Sequence, residues 1–120
     1  MAYREENNLL SHRRFAIGTI KEIVTYYQNS GKVFIKYDFK LKQRIYNGQT
    51  SVVSKNKYKD RDFLKALLIN KNFPIVFDSL DPNNSKILLA KKDYENFSIK
   101  RPDSLKKYFL IVDSIAQPHN

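Results

Sequence analysis

Val33-Phe34-Ile35-Lys36-Tyr37-Asp38-Phe39-Lys40-Leu41 alternates apolar and polar side chains with a period of two, the pattern of a β-strand with one dry face and one wet face. Val33, Ile35, Tyr37, Phe39 and Leu41 fall on the core side. Lys36, Asp38 and Lys40 fall in water, with Phe34 the large apolar exception among them. Upstream, Gln28-Asn29-Ser30-Gly31-Lys32 has turn chemistry, with Gly31 free to take positive φ. Downstream, Lys42-Gln43 turns the chain into Arg44 to Ser54, where Ile45, Tyr46, Thr50, Val52 and Val53 favour strand and Gly48 marks a bulge or a close backbone approach. Before the first turn, Phe15 to Tyr26 carries β-branched residues at both parities. One long strand bent at Gly18 accommodates that, because a bulge or barrel corner swaps the inward face. A three-stranded meander results.

Beyond Ser54 the periodicity changes. Lys55-Asn56-Lys57-Tyr58-Lys59 reads as a basic connector, and Asp60 or Asp62 can cap a helix at about Asp62 to Ile69. Its stripe of Phe63, Leu64, Leu67 and Leu68 would cover one open end of the sheet, and Asn70 suits a left-handed stop. In Phe73-Pro74-Ile75-Val76-Phe77-Asp78, Pro74 cannot donate to a ladder, so a fourth strand begins there or runs along an edge. Asp81-Pro82-Asn83-Asn84-Ser85 reads as a tight polar loop and Lys86 to Leu89 as a short returning strand. Lys91 to Phe97 suits a helical turn with Tyr94 and Phe97 inward. In Asp103 to Ala116 the spacing of Leu105, Tyr108 or Phe109, Val112 and Ile115 favours helix, although Tyr108 to Val112 alone would pass as a strand.

The expected fold is therefore α+β and β-dominated: a small five-stranded, partly open antiparallel β-barrel with one short helix and a C-terminal helical segment. Residues 1–14 read as a flexible N-terminal arm, 15–116 as the single domain and 117–120 as a tail. The expected core includes Ile17, Ile35, Tyr37, Phe39, Leu67, Ile75, Phe77 and Leu88.

A chain of 120 residues with 42% hydrophobic and 13% aromatic content can bury one modest core. Lys and Arg number 22 against 12 Asp and Glu, a formal charge of +10. That field favours polyanions or acidic protein surfaces, and it also keeps a small domain dissolved. Without cysteine there is neither a disulfide framework nor a thiolate metal site. The first ten residues lack the basic start and apolar run of a signal peptide, and Tyr108 to Val112 is far shorter than the ~20 apolar residues of a membrane helix. The expectations are no membrane insertion of this chain and, by default, a cytoplasmic location.

Catalytic chemistry has little to work with in this sequence. The two histidines, His12 and His119, lie in the terminal segments, and Asp60 and Asp62 are explained by helix capping among Lys57, Lys59 and Arg61. An EF-hand counted from Asp78 would need glycine at the sixth position and glutamate at the twelfth, where Asn83 and Leu89 stand. No cofactor or metal is expected, and the chain reads as non-enzymatic.

The meander Val33 to Phe39 with Tyr46-Asn47-Gly48, followed by Phe73-Pro74-Ile75-Val76-Phe77-Asp78-Ser79-Leu80-Asp81-Pro82-Asn83-Asn84-Ser85-Lys86-Ile87-Leu88, resembles a widespread bacterial family of small β-barrel domains of unknown function. That family carries a Tyr-x-Gly meander and a Tyr-Asp-Pro-x-Asn-Pro-x-x-Ser strand and turn. The similarity runs from about Gly18 to Leu89. Phe77-Asp78-Ser79 stands in place of Tyr-Asp-Pro, and Leu41-Lys42-Gln43-Arg44 lacks the family's Asn-Gly turn. The resemblance implies a small barrel, sometimes beside membrane helices, and no particular activity.

Binding is the remaining class of function. Phe34, Lys36 and Lys40 share one strand face, and Lys55, Lys57, Lys59 and Arg61 follow on a connector, giving a candidate binding face. An acidic protein partner is the leading expectation, since an aromatic among charges is the composition of an interface anchor. The alternatives are single-stranded nucleic acid on an OB-like basic face, and an immunity or inhibitor role against a bacterial toxin. Oligomeric state is not encoded in any feature of the sequence.

Overall fold

The computed structural model describes residues 10–27 and 31–116. Its five strands are β1 (Arg13–Val24), β2 (Lys32–Leu41), β3 (Arg44–Val53), β4 (Asn72–Asp78) and β5 (Asp81–Ile87). They form one antiparallel sheet in the order β3-β2-β1-β4-β5, curled into a nearly closed barrel. Helix α1 (Lys57–Leu68) joins β3 to β4. Helices α2 (Lys91–Asn96) and α3 (Lys106–Ala116) follow β5, with a 3-10 turn, Asp103–Leu105, leading into α3. Residues 1–9 of the expected arm, the tail 117–120 with His119, and the turn residues 28–30 lie outside the described residues, while Arg13 and Arg14, expected in the arm, open β1 opposite β4.

β2 organises the barrel as its alternation requires. Val33, Ile35, Tyr37 and Phe39 are buried, and all ten residues of the strand pair with β3 without a register shift. Lys42 turns the hairpin at φ 58, while Gly31 enters β2 at φ 83, where a side chain would be strained.

β1 is shared between two partners. Arg13 to Thr19 pairs with β4, and Gly18 to Val24 pairs with β2. The bulge expected at Gly18 lies instead between Ile20 and Glu22, where the register shifts. That shift turns both Ile20 and Ile23 inward although their parities differ. Gly18 is a close approach: a Cβ there would sit 2.5 Å from Ile75 Cγ1. With Gly18 facing in, Ile17 faces out and is 63% exposed, so it is not a core residue. Ile35, Tyr37, Phe39, Ile75, Phe77 and Leu88 are buried as expected, and Leu67 is half-buried.

Four further expectations are corrected. Helix α1 starts at Lys57, capped by Asn56 rather than Asp60 or Asp62, because the Asn56 side chain accepts the Lys59 N–H. The expected stripe is also narrower than its four residues: Leu64 and Leu68 are buried and Leu67 half-buried, while Phe63 is exposed. The stop is as expected, with Asn70 at φ 66 and its N–H on the Ile20 carbonyl.

Pro74 lies inside β4, which is flanked by β1 and β5 and is not an edge. Its carbonyl accepts the Leu88 N–H. The N–H and C=O of one strand residue point to the same side, so the missing donor faces the end of β5 and leaves the β1 ladder intact. Finally, Asp81 to Ser85 is strand, and the turn is Ser79-Leu80, where Asp78 accepts the Leu80 N–H in an Asx turn. Phe77 pairs with Ser85 and Asp78 with Asp81, so Pro82, Asn83 and Asn84 loop out of the β5 ladder as a bulge.

β3 and β5 end the sheet and are not paired in a ladder with each other. A side chain spans part of this seam. The Tyr37 ring lies on Gly48 of β3, where any Cβ would strike it, and its hydroxyl reaches Ser85 Oγ of β5 at 2.9 Å and the Ile87 backbone. Burial pushes the Tyr37 phenol up to about 12, partly offset by those two hydrogen bonds. Helix α3 closes the core as an amphipathic helix, with Tyr108, Phe109 and Val112 buried. Phe109 packs against Tyr94 at 5.0 Å, and Tyr108 meets Phe73 edge-on at 5.6 Å.

Candidate binding face

The junction between β3 and α1 positions the basic residues. Ser54 is buried; its hydroxyl donates to the Asp60 carboxylate and accepts the Asn56 N–H at 3.1 Å. This pins the first turn of α1 to the end of β3, so Lys57, Tyr58 and Lys59, expected on the connector, are helical. Lys57, Tyr58 and Arg61 are thereby turned toward the end of β1. Lys57 Nζ donates to the Tyr26 carbonyl at 3.1 Å, and Arg61 Nη1 donates to Thr25 Oγ1 at 3.2 Å.

An aromatic and cationic surface results. The Tyr26 and Phe34 rings meet with centroids 5.0 Å apart, and Lys36 Nζ lies 5.6 Å from the Tyr26 centroid. Lys57 and the Arg61 guanidinium sit 5.2 and 5.3 Å from the Tyr58 centroid. Tyr27 beside them is 93% exposed. The Lys36 ammonium is held above its ordinary pKa, first by its hydrogen bond with Tyr26 and further by Glu22, whose carboxylate is 3.5 Å away.

Of the seven residues singled out in the sequence, Phe34, Lys36, Lys57 and Arg61 meet at this surface. Lys55 and Lys59 are exposed on the same junction and helix. Lys40 stands apart, opposite Ile45 at the hairpin end of β2. Tyr26, Tyr27 and Tyr58 join the site without having been singled out. The signal for Tyr58 was its i, i+3 spacing to Arg61, readable only once α1 starts before it.

Asp62 pairs with Arg61 at 3.0 Å and Asp60 with Ser54, while His12 is exposed at the start of the barrel. Among the described residues no group of three or more His, Cys, Asp or Glu is placed to hold a metal ion, and no helix is long and apolar enough to cross a membrane. Compared with known proteins, the chain matches no family model, no curated protein and no solved structure.

Proposed function

We propose that the protein is a non-catalytic binding domain that takes an acidic protein partner on the face formed by Tyr26, Tyr27, Phe34, Lys36, Lys57, Tyr58 and Arg61. The observation that carries this reading is the convergence of four aromatic rings and three cations from three separate elements, with Tyr27 almost wholly in water. Exposed tyrosines beside an arginine have the composition of interface hot spots. The charge of +10 speeds encounter with an acidic surface and disfavours basic ones. Single-stranded nucleic acid is the weaker fit. The Tyr26 and Tyr58 rings are already engaged by Phe34, Lys36, Lys57 and Arg61, and stacked bases would have to displace those contacts.

The test is a fluorescence titration with a labelled polyglutamate peptide and, in parallel, a labelled single-stranded oligonucleotide, at low and physiological salt. The reading expects polyglutamate to bind, and binding to be lost in the Tyr58→Ala/Arg61→Ala variant. Tighter binding of the oligonucleotide, lost in the same variant, would transfer the face to nucleic acid. Absence of binding by both probes at low salt overturns the reading.

A further inference from the structure

The seam of the barrel leaves one sheet edge open beside the candidate face, and its chemistry suits a particular kind of occupant. Ser54 donates its N–H to the Gly31 carbonyl, which fixes the phase of the β2–β3 ladder. Even-numbered residues of β3 exchange hydrogen bonds with β2, and the peptide groups of Asn47, Gln49, Ser51 and Val53 point away from it, into the seam. Near Gly48 the Tyr37 side chain covers this edge. Toward the other end, a cavity of about 640 Å³ opens against Thr50, Ser51 and Val52, with Lys86, Lys91 and Lys92 among the residues on its opposite wall.

Natural edge strands are guarded by lysine, proline, bulges or inward charges. From Ile45 to Val53 β3 has no charged residue and no proline, and it pairs with β2 without a bulge. Across the gap stand Lys86, Lys91 and Lys92 together with Asp93, Glu95 and Asp113. Lys86 is paired with Asp93 at 3.5 Å and Lys91 with Glu95 at 3.9 Å, while Lys92 is exposed and has no ion pair among the described residues. Asp93 also accepts the Leu89 and Ala90 N–H groups, and Asp113 accepts Lys91 N–H and Arg101, so these wall carboxylates are already satisfied.

We infer that the free edge of β3 at Ser51 and Val53 accepts an extended acidic segment of the partner as an added strand. The inference rests on the reading of the protein as a binder of an acidic protein and specifies how that partner docks. Ser51 lies opposite Phe34 in the ladder, so the edge is one strand away from the aromatic surface and one partner can reach both. Two copies of this chain pairing edge to edge would bring together net charges of +10 each, which favours an acidic occupant over self-association.

The experiment follows backbone amides by NMR while a short peptide alternating glutamate and valine is added, with polyglutamate as the comparison. The inference expects the Ser51 and Val53 amides to shift and to gain protection from exchange. Ser51→Pro removes a donor that β2 does not use and should weaken the alternating peptide at least tenfold, whereas Ser51→Ala should leave it unchanged. Should Ser51→Pro fold poorly, Ser51→Glu serves, weakening the acidic peptide by repulsion at an exposed position. If the Tyr58→Ala/Arg61→Ala variant loses polyglutamate but the Ser51 and Val53 amides never move, the docking face stands and the added strand is overturned. Concentration-dependent pairing of the protein through the same amides, without peptide, also overturns it.

Discussion

Tyr37 Oη and Ser85 Oγ lie 2.9 Å apart across a gap where two strands fail to pair. The tyrosine belongs to β2, so it reaches over the intervening β3 at Gly48 to hold β5. One buried phenol thus substitutes for part of the missing ladder. Replacing Tyr37 by phenylalanine keeps the ring on Gly48 and removes the hydroxyl, leaving Ser85 and the Ile87 amide short of a partner. A loss of about 1 kcal/mol is expected, typical of one net hydrogen bond. Urea unfolding of Tyr37→Phe checks it, and faster exchange at the β5 amides should accompany the loss.

The same phenol gives the fold an alkaline limit. Tyr37 titrates at about 12 in the folded chain against the ordinary 10, and Tyr94 is also raised, chiefly by burial and further by Asp93. Between the two values the folded state holds a proton that the unfolded state has released, so stability is full below pH 10 and falls as pH rises toward 12. The slope from one such group is about 1.4 kcal/mol per pH unit. Urea midpoints measured from pH 8 to pH 12 should fall above pH 10, and the fall should be shallower in Tyr37→Phe. A flat profile to pH 12 would contradict the assignment.

Gly48 is required by the ring above it. A Cβ at this position would overlap the Tyr37 ring carbons and hydroxyl, and that ring is enclosed by the core and cannot swing away. Gly48→Val, although it favours strand intrinsically, should therefore destabilise by about 1–3 kcal/mol, the range for overpacking. Thermal unfolding of Gly48→Val beside Thr50→Val separates the steric effect from propensity.

The barrel was legible in the sequence where one pattern was unopposed. β2 alternates for its whole length, and its inward residues follow from that alternation, while the Lys42-Gln43 turn and the crowding at Gly48 were marked by their own residues. The opening strand was harder, because Ile17, Ile20 and Ile23 have similar propensity and only the register shift after Ile20 decides which of them face in. At Asp81 to Ser85, turn-forming residues occupy a bulged strand, since the Asx turn of Asp78 had already reversed the chain. The candidate face was half visible. Its lysines could be read directly, but Tyr26 and Tyr58 share a surface through the Ser54–Asp60 bond and the Lys57 and Arg61 bonds to Tyr26 and Thr25, none of which has a distinctive pattern in the sequence.

That bond provides the last prediction. Ser54 is buried, and its hydroxyl serves both the Asp60 carboxylate and the Asn56 N–H. Ser54→Ala leaves a half-buried carboxylate and a backbone donor without their shared partner, at a cost of about 1–3 kcal/mol. Asn56→Ala should cost less, at the low end of the roughly 0.5–2 kcal/mol for an N-cap, because its bond to the Lys59 N–H is long at 3.4 Å. The two variants differ in a second readout. Once the first turn of α1 is unpinned, Lys57 and Arg61 lose their anchors on Tyr26 and Thr25, and the Tyr58 ring signals should move toward solvent-exposed values. The expected order of those shifts, measured by NMR in the folded proteins, is Ser54→Ala above Asn56→Ala. The reverse order would mean that the cap, rather than the serine, holds the face together.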